Sequence, residues 1–204
     1  QFAAGLNMGI SGIPWWTTDI GGFFGANIYD EEYHEVLVRW FEYGTFCPVM
    51  RLHGYRMPYQ PQYGTTGGAE CVSGAPNEIW SYGDKVYEIC KKYINLREAM
   101  RPYVRRLMEE AHEKGTPIMR PLFYDFCDDR KCWENETSYM FGPDVLVSPV
   151  MEKGQTSKEV YLPAGTSWTN AWTKEVYEGG QTVTVETPID QIPLFTRNGY
   201  ILEI

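Results

Sequence analysis

The residues of this chain with chemistry to offer collect in two short stretches near its start. In Gly12-Ile-Pro-Trp-Trp-Thr-Thr-Asp-Ile-Gly-Gly-Phe-Phe24 an apolar, aromatic run rises to one carboxylate, Asp19, and breaks on two glycines. In Thr45-Phe-Cys-Pro-Val-Met-Arg-Leu-His-Gly54 a second run ends on Arg51 and His53, just before Gly54. Asp19 follows two tryptophans, where an ionised, unpaired acid is costly to bury, so it is hydrogen-bonded or faces a wet pocket. It reads either as a binding carboxylate or as a structural acid tying a strand end to an arginine or to backbone. Arg51 and His53 share strand parity and project to one side. His53 reads either as a satisfied core histidine or as the partner of the acid on the neighbouring tip. His34 and His112 fall on helices and are expected at the surface. No Ser-His-Asp elbow, Gly-rich phosphate loop or HExxH motif occurs, so no complete hydrolytic or transfer apparatus is legible.

The elements that must position these residues follow from periodicity. Ile13–Asp19 and Phe46–Leu52 read as two buried strands. Between them lies a helix capped by Asp30, with Glu31 and Glu32 in its first turn and Gly44 closing it. Tyr33, Val36, Leu37, Trp40 and Phe41 form its apolar face at three-to-four spacing. Strand–helix–strand of this kind is a parallel crossover unit. Residues 55–82 are rich in Gly, Pro, Gln and Tyr and show no period. A long helix over Asp84–Lys114 follows, with its apolar face including Ile94, a kink or split at Pro102 and an end at Gly115. Beyond it the pattern changes to short apolar runs: Pro117–Phe126, Val145–Pro149, Glu159–Leu162, Thr182–Glu186, Ile192–Thr196 and Tyr200–Ile204. Turn signals such as Gly179-Gly180 and Asn198-Gly199 separate them at hairpin spacing, as in a small antiparallel sandwich.

Composition narrows the partners. The 204 residues carry a net charge of −9, which disfavours nucleic acid and anionic membrane surfaces alike. No apolar run of about 18 residues occurs, so no transmembrane helix is expected. Aromatic residues make up 15% of the chain, and their faces suit sugars and bases equally. The five cysteines show no CxxC pair and no metal spacing with histidine. Cys47 and Cys90 read as inert core thiols, and the odd count favours reduced thiols, although Cys127 and Cys132 flank one loop and invite a bridge. Reduced thiols lean towards a cytoplasmic setting. Neither a metal nor a cofactor is expected.

Several stretches together resemble glycoside hydrolase family 31, which contains retaining α-glucosidases and α-xylosidases. Leu6-Asn-Met-Gly-Ile-Ser-Gly-Ile-Pro-Trp-Trp-Thr-Thr-Asp-Ile-Gly-Gly-Phe23 is similar to its seventh-strand signature, and Arg51-Leu-His-Gly54 to its eighth-strand motif. Leu96-Arg-Glu-Ala-Met-Arg-Pro-Tyr103 resembles its last barrel helix. Thr116-Pro-Ile-Met-Arg-Pro-Leu122, Tyr139-Met-Phe-Gly-Pro-Asp-Val-Leu-Val-Ser-Pro149 and Val160-Tyr-Leu-Pro-Ala-Gly165 resemble the β-sandwich that follows the barrel. The resemblance implies an α/β plus all-β chain. Residues 1–115 would be the C-terminal part of a (β/α)8 TIM barrel, with strands 7 and 8, and residues 116–204 a small antiparallel β-sandwich. It implies that Asp19 and His53 bind hydroxyls of a terminal sugar, that Phe23 walls the ring, and that Arg51 holds these side chains in place.

Retaining hydrolysis needs two carboxylates about 5 Å apart, a nucleophile and an acid/base. The resemblance places both upstream of Gln1, so no catalytic residue is assigned here and Asp19 is not read as the nucleophile. A barrel closes with about eight strands, and two are expected in this chain. Its expected partners are therefore an oligosaccharide and the N-terminal part of the same enzyme. Isolated, it is expected to be inactive, and exposed barrel edges make homo-oligomers possible. α-Glucosidase and α-xylosidase both remain open. The rival function is a non-catalytic carbohydrate-binding sandwich, with Trp168, Trp172 and Tyr177 as a stacking platform, against which stands their packing between sheets. A third reading makes the sandwich a brace for the barrel.

Overall fold

The computed structural model describes residues 1–202, and it divides into a helical α/β part and an antiparallel part. Helix α1 (Phe2–Ile10) opens the chain and was not expected from periodicity. Its glycines let it approach its neighbours closely: a Cβ on Gly5 would sit 2.6 Å from the Trp16 indole nitrogen. Residues 13–19 form no ladder, and of the expected strand 46–52 residues 46–49 are turn and bend, leaving 50–52 as the part that reaches the bridge at Leu52. Both staves were expected as regular strands. They do run side by side in parallel, through a bridge between Ile20 and Leu52 and through the bonds Val49 N–H to Trp16 O and Ile20 N–H to Arg51 O. Pro14 and Pro48 have no N–H to contribute, which interrupts the regular pattern. Ordered parallel pairing resumes just beyond the tips, between β1 (Phe24–Asn27) and β2 (Tyr55–Met57).

Helix α2 (Glu31–Thr45) connects the staves, and the Asp30 carboxylate accepts the Glu32 N–H as its N-cap. Gly44 lies inside this helix rather than at its end. Its lack of a side chain admits Ile20, whose Cδ1 would lie 2.5 Å from a Cβ there. Val36 is exposed, contrary to its place on the expected apolar face, and so is Ile94. The long helix breaks into α3 (Asp84–Ala99) and α4 (Arg101–Lys114) at Met100. Pro102 sits in the first turn of α4, where its missing N–H leaves no helical bond unmade. Gly115 ends α4 in the left-handed conformation, at φ +70°.

Expected strand 117–126 is shorter than its apolar run: β3 (Met119–Pro121) gives way to the single turn α5 (Leu122–Asp125). After α6 (Arg130–Trp133) come β4 (Tyr139–Phe141), β5 (Val145–Val147), β6 (Ser157–Leu162), β7 (Ser167–Asn170), β8 (Val176–Glu178), β9 (Gln181–Glu186) and β10 (Leu194–Arg197). Five of them join β3 in an antiparallel sheet ordered β3-β4-β5-β10-β7-β8, and β6 pairs with β9 in a second. The expected strand at 200–204 falls partly outside the described residues, and residues 200–202 are not strand.

Alternation gives the larger sheet two buried faces. Tyr139, Phe141, Val145, Val147 and Leu194 pack with the helices, while Met140, Leu146, Trp168 and Phe195 pack with Val160, Leu162 and Val185 of the smaller sheet. Polar groups stitch the helical junction. Tyr139 donates to Phe46 O at 2.9 Å and Tyr103 to Phe141 O at 2.8 Å. Arg39 of α2 donates to Thr187 O at 2.6 Å, to Pro188 O at 3.0 Å and to Glu42 at 3.1 Å. Glu42 also accepts from Tyr93 of α3 at 2.9 Å. Burial outweighs the neighbouring Arg39 and pushes the Glu42 carboxyl up to about 8. The Arg39 charge is correspondingly met by carbonyl dipoles as well as by the acid.

The rival stacking platform of Trp168, Trp172 and Tyr177 is not formed. Trp168 is fully buried between the sheets and donates to Pro163 O at 2.9 Å. Trp172 turns to the helical junction, donating to Ile192 O at 2.7 Å beneath the Lys92 ammonium, and Tyr177 packs edge-on against Phe195. All five cysteines are free thiols, so Cys127 and Cys132 form no bridge.

Candidate functional site

The tips of the two staves touch across the pair. Arg51 Nη2 makes a short hydrogen bond to Asp19 Oδ1 across the pair. One level further on, the His53 ring stacks on Phe23, with centroids 5.6 Å apart and planes 29° from parallel. Asp19 thus meets Arg51, and Phe23 meets His53, each contact joining one stave to the other. The Asp19 side chain is 24% exposed and that of Arg51 50% exposed, so the pair faces solvent. An exposed pair of this kind adds at most about 1 kcal/mol to stability. The arginine engages one carboxylate oxygen, Oδ1.

The tips owe their shape to a residue that sequence reasoning passed over. Arg56 is fully buried, yet among the described residues no carboxylate pairs with it. Its guanidinium instead donates to Gly22 O at 2.7 Å, Ile20 O at 3.1 Å and His53 O at 3.4 Å, and its Nε to Tyr82 Oη at 3.1 Å. Both tips are thus bound to one planar cation from beneath. Tyr33 closes the same knot, donating to Gly21 O at 2.9 Å with its ring 5.6 Å from the guanidinium carbon. Burial raises the Tyr33 and Tyr82 phenols above their ordinary value, so both remain protonated donors.

Glycine is needed where the tips approach the knot. A Cβ on Gly54 would lie 2.3 Å from Gly22 O, and its φ of +132° is one that residues with a side chain rarely adopt. A Cβ on Gly21 would lie 2.6 Å from the Tyr33 hydroxyl. The signal for Arg56 was present as a lone arginine between Gly54 and Pro58 with no acid nearby in sequence. Without periodicity in residues 55–82 it had no assigned neighbours.

Of the other histidines, His112 is exposed as expected, whereas His34 is half-buried, with Nε2 at 2.6 Å from Ile28 O and its ring edge-on to Tyr82. Among the described residues no three His, Cys, Asp or Glu side chains gather to hold a metal, and no helix is long and apolar enough to cross a membrane. Two concavities lie away from the tips. One of about 780 Å³ is lined by Glu88, Lys92, Lys174 and Leu202, and one of about 690 Å³ lies between α2, α3 and the turns at 154–156 and 187–189.

Two parallel staves with polar tips, joined by a helix and followed by an antiparallel sandwich, define the tail of a TIM barrel with its appended β-domain. The glycosyl hydrolases family 31 TIM-barrel domain matches residues 1–107, and the glycosyl hydrolase family 31 C-terminal domain matches residues 115–202. The chain belongs to glycoside hydrolase family 31. It is 42% identical over 204 residues to an alpha-xylosidase of Saccharolobus solfataricus, covering 100% of this chain and 25% of that protein. It is 34% identical over 196 residues to alpha-glucosidase 2 of Bacillus thermoamyloliquefaciens, covering 95% of this chain and 22% of that one. Among solved structures, a family 31 alpha-xylosidase from a soil metagenome, complexed with xylose, superposes with a TM-score of 0.95 at 51% identity. That match covers 99% of this chain and 30% of the other. The chain thus spans between a fifth and a third of the length of these relatives.

Proposed function

We propose that this chain is the sugar-binding end of a retaining, exo-acting α-glycosidase, with residues 1–115 closing the barrel and residues 116–204 bracing it. The observation that carries the proposal is the paired contact across the stave tips, Asp19 with Arg51 and Phe23 with His53. A carboxylate with one oxygen fixed and one free accepts sugar hydroxyls, an imidazole donates or accepts one more, and the exposed Phe23 ring offers an apolar wall. Such groups orient a terminal ring for attack at its anomeric carbon. The attack itself needs a nucleophile and an acid/base about 5 Å apart. In the proposed enzyme the preceding barrel strands supply both, together with the remaining walls of the pocket. Asp19 is committed to Arg51 and serves binding.

The sugar we assign is α-linked xylose. The relatives reported above as α-xylosidases share 42% and 51% of residues with this chain, against 34% for the α-glucosidase. Titration of the purified chain with methyl α-xyloside and methyl α-glucoside, followed by NMR, tests both parts. Tighter binding of the xyloside, weakened more than about tenfold in Asp19→Asn and His53→Ala, with no turnover of 4-nitrophenyl α-xyloside, is the expected result. Preference for the glucoside would move the assignment to α-glucosidase. Turnover by the chain alone, or binding unchanged in Asp19→Asn, would overturn the site.

A further inference from the structure

Residues 58–77 leave β2 and return to it. Gln60 and Ser73 bridge the two limbs of this loop, and Ala75 N–H donates to Arg56 O at 2.9 Å, which lays the returning limb against β2. Two residues later the loop sends Asn77 to the tip of the second stave. Its Nδ2 donates to Gly54 O at 3.3 Å, and its Oδ1 accepts from the Tyr82 hydroxyl. Chemistry settles the direction of these bonds. Arginine has donors only, so the Tyr82 oxygen accepts from Arg56 Nε at 3.1 Å and gives its one proton to Asn77. The Asn77 oxygen is thereby engaged, and its amide nitrogen is left for the Gly54 carbonyl.

The peptide that follows Gly54 is thus held at both ends, its carbonyl by Asn77 and its N–H, that of Tyr55, by Phe23 O at 2.8 Å. The peptide before it is held by Arg56 Nη2, which donates to His53 O at 3.4 Å. Gly54 has no side chain to restrict its backbone, so a bond to its carbonyl restrains the tip where the chain is freest. We propose that Asn77 is a positioning residue: its amide holds the Gly54 carbonyl and so sets the direction in which the His53 imidazole leaves the stave tip. This role rests on the sugar binding proposed above for His53, and it adds the residue that presents the ring. The loop that shows no period in sequence is then a clamp on the second tip. Both polar ends of the Asn77 amide are spent inside the protein, on partners that belong to the Arg56 knot or to the tip. An ionised aspartate has the same shape but no donor, so it would set an oxygen against Gly54 O.

The test reads His53 directly in the purified chain. The sequence holds three histidines, so the His53 ring protons are identified by NMR as those lost in His53→Gln. Stacking on Phe23 displaces them upfield, and that displacement should shrink in Asn77→Ala, Asn77→Asp and Tyr82→Phe. The ring protons of the exposed His112, on α4, should stay in place and report that the fold is kept. Glu70→Gln, in the same loop but outside the chain of bonds, should leave both sets unchanged. Binding of methyl α-xyloside should weaken about fivefold in Asn77→Ala and Asn77→Asp, the loss of one neutral hydrogen bond. His53 signals that stay in place in a folded Asn77→Asp would overturn the proposal. So would an equal displacement in Glu70→Gln, which would make the whole loop responsible. Displaced His53 signals with unchanged xyloside affinity would show that Asn77 sets the ring without serving the sugar, and would overturn the functional role. If Asn77→Asp does not fold, Asn77→Ala, which adds no charge, decides alone. A parent chain that binds no xyloside sinks the sugar site, and the His53 signals still decide whether Asn77 positions that ring.

Discussion

Replacing Arg56 by methionine removes a buried cation whose donors reach Ile20 O, Gly22 O, His53 O and the Tyr82 hydroxyl. The aliphatic stem is conserved in length, so the loss is mainly in hydrogen bonding. Each carbonyl left buried without a donor costs about 1–3 kcal/mol. The two shorter contacts alone, to Gly22 and Ile20, therefore represent about 2–6 kcal/mol. Against this, the variant no longer desolvates a guanidinium, an effect that cancels part of the loss. A net destabilisation of about 2–3 kcal/mol is expected, which at a urea slope of about 2 kcal/mol/M lowers the midpoint by about 1–1.5 M. Arg56→Lys keeps the charge and three donors but not the planar fork, and should fall between the two. The same variants should weaken methyl α-xyloside binding, because the Gly22 and His53 carbonyls belong to the tips that carry Phe23 and His53. Urea titration by tyrosine and tryptophan fluorescence, paired with the sugar titration, reads both effects. A methionine variant with an unchanged midpoint and unchanged sugar affinity would refute the idea that this cation shapes the tips.

Two further substitutions probe the junction and the tip geometry. Glu42 has a folded-state pKa of about 8 against an ordinary 4.5, so between those values the unfolded chain is ionised while the folded chain keeps its proton. Stability should therefore fall as pH rises through that window and level off above it. Arg39, Lys92, Tyr93 and Cys90 surround this carboxyl, and Glu42→Gln keeps their geometry while removing the titration. Urea midpoints at pH 5.5, 7 and 8.5 should slope less in the variant, and identical slopes would count against a protonated Glu42. Gly54→Ala places a methyl against Gly22 O at a φ of +132°, and strain of this kind costs about 1–3 kcal/mol. A midpoint within error of the parent, with sugar binding intact, would show that the tips can yield there.

Helices were legible where end signals and apolar spacing agreed. Asp30 marked the start of α2, and Gly115 marked the end of α4. Pro102 marked a break, although the chain bends two residues earlier because proline belongs in the first turn of the new helix. The staves were read too regularly and too deeply: Pro14 and Pro48 interrupt the ladder, residues 46–49 are turn and bend, and Ile13 and Trp15 are exposed although their apolar texture reads as buried strand. Strands of three or four residues such as β4, β7 and β8 carry too few positions for a period of two to show. At the site, the charged and aromatic tips stood out by residue type. Arg56 did not, because its partners are backbone carbonyls of residues remote in sequence, and no side-chain pattern encodes them.

The chain passes from α4 into β3 through the exposed Gly115, yet the two parts it joins are held by far more than that peptide. Tyr139 and Tyr103 reach between them, and Arg39 grips the turn at 187–188 from the other side. A protease that nicked the connection would cut a thread and not a hinge. The two pieces would travel together through purification, separating only once denaturant had loosened the seam.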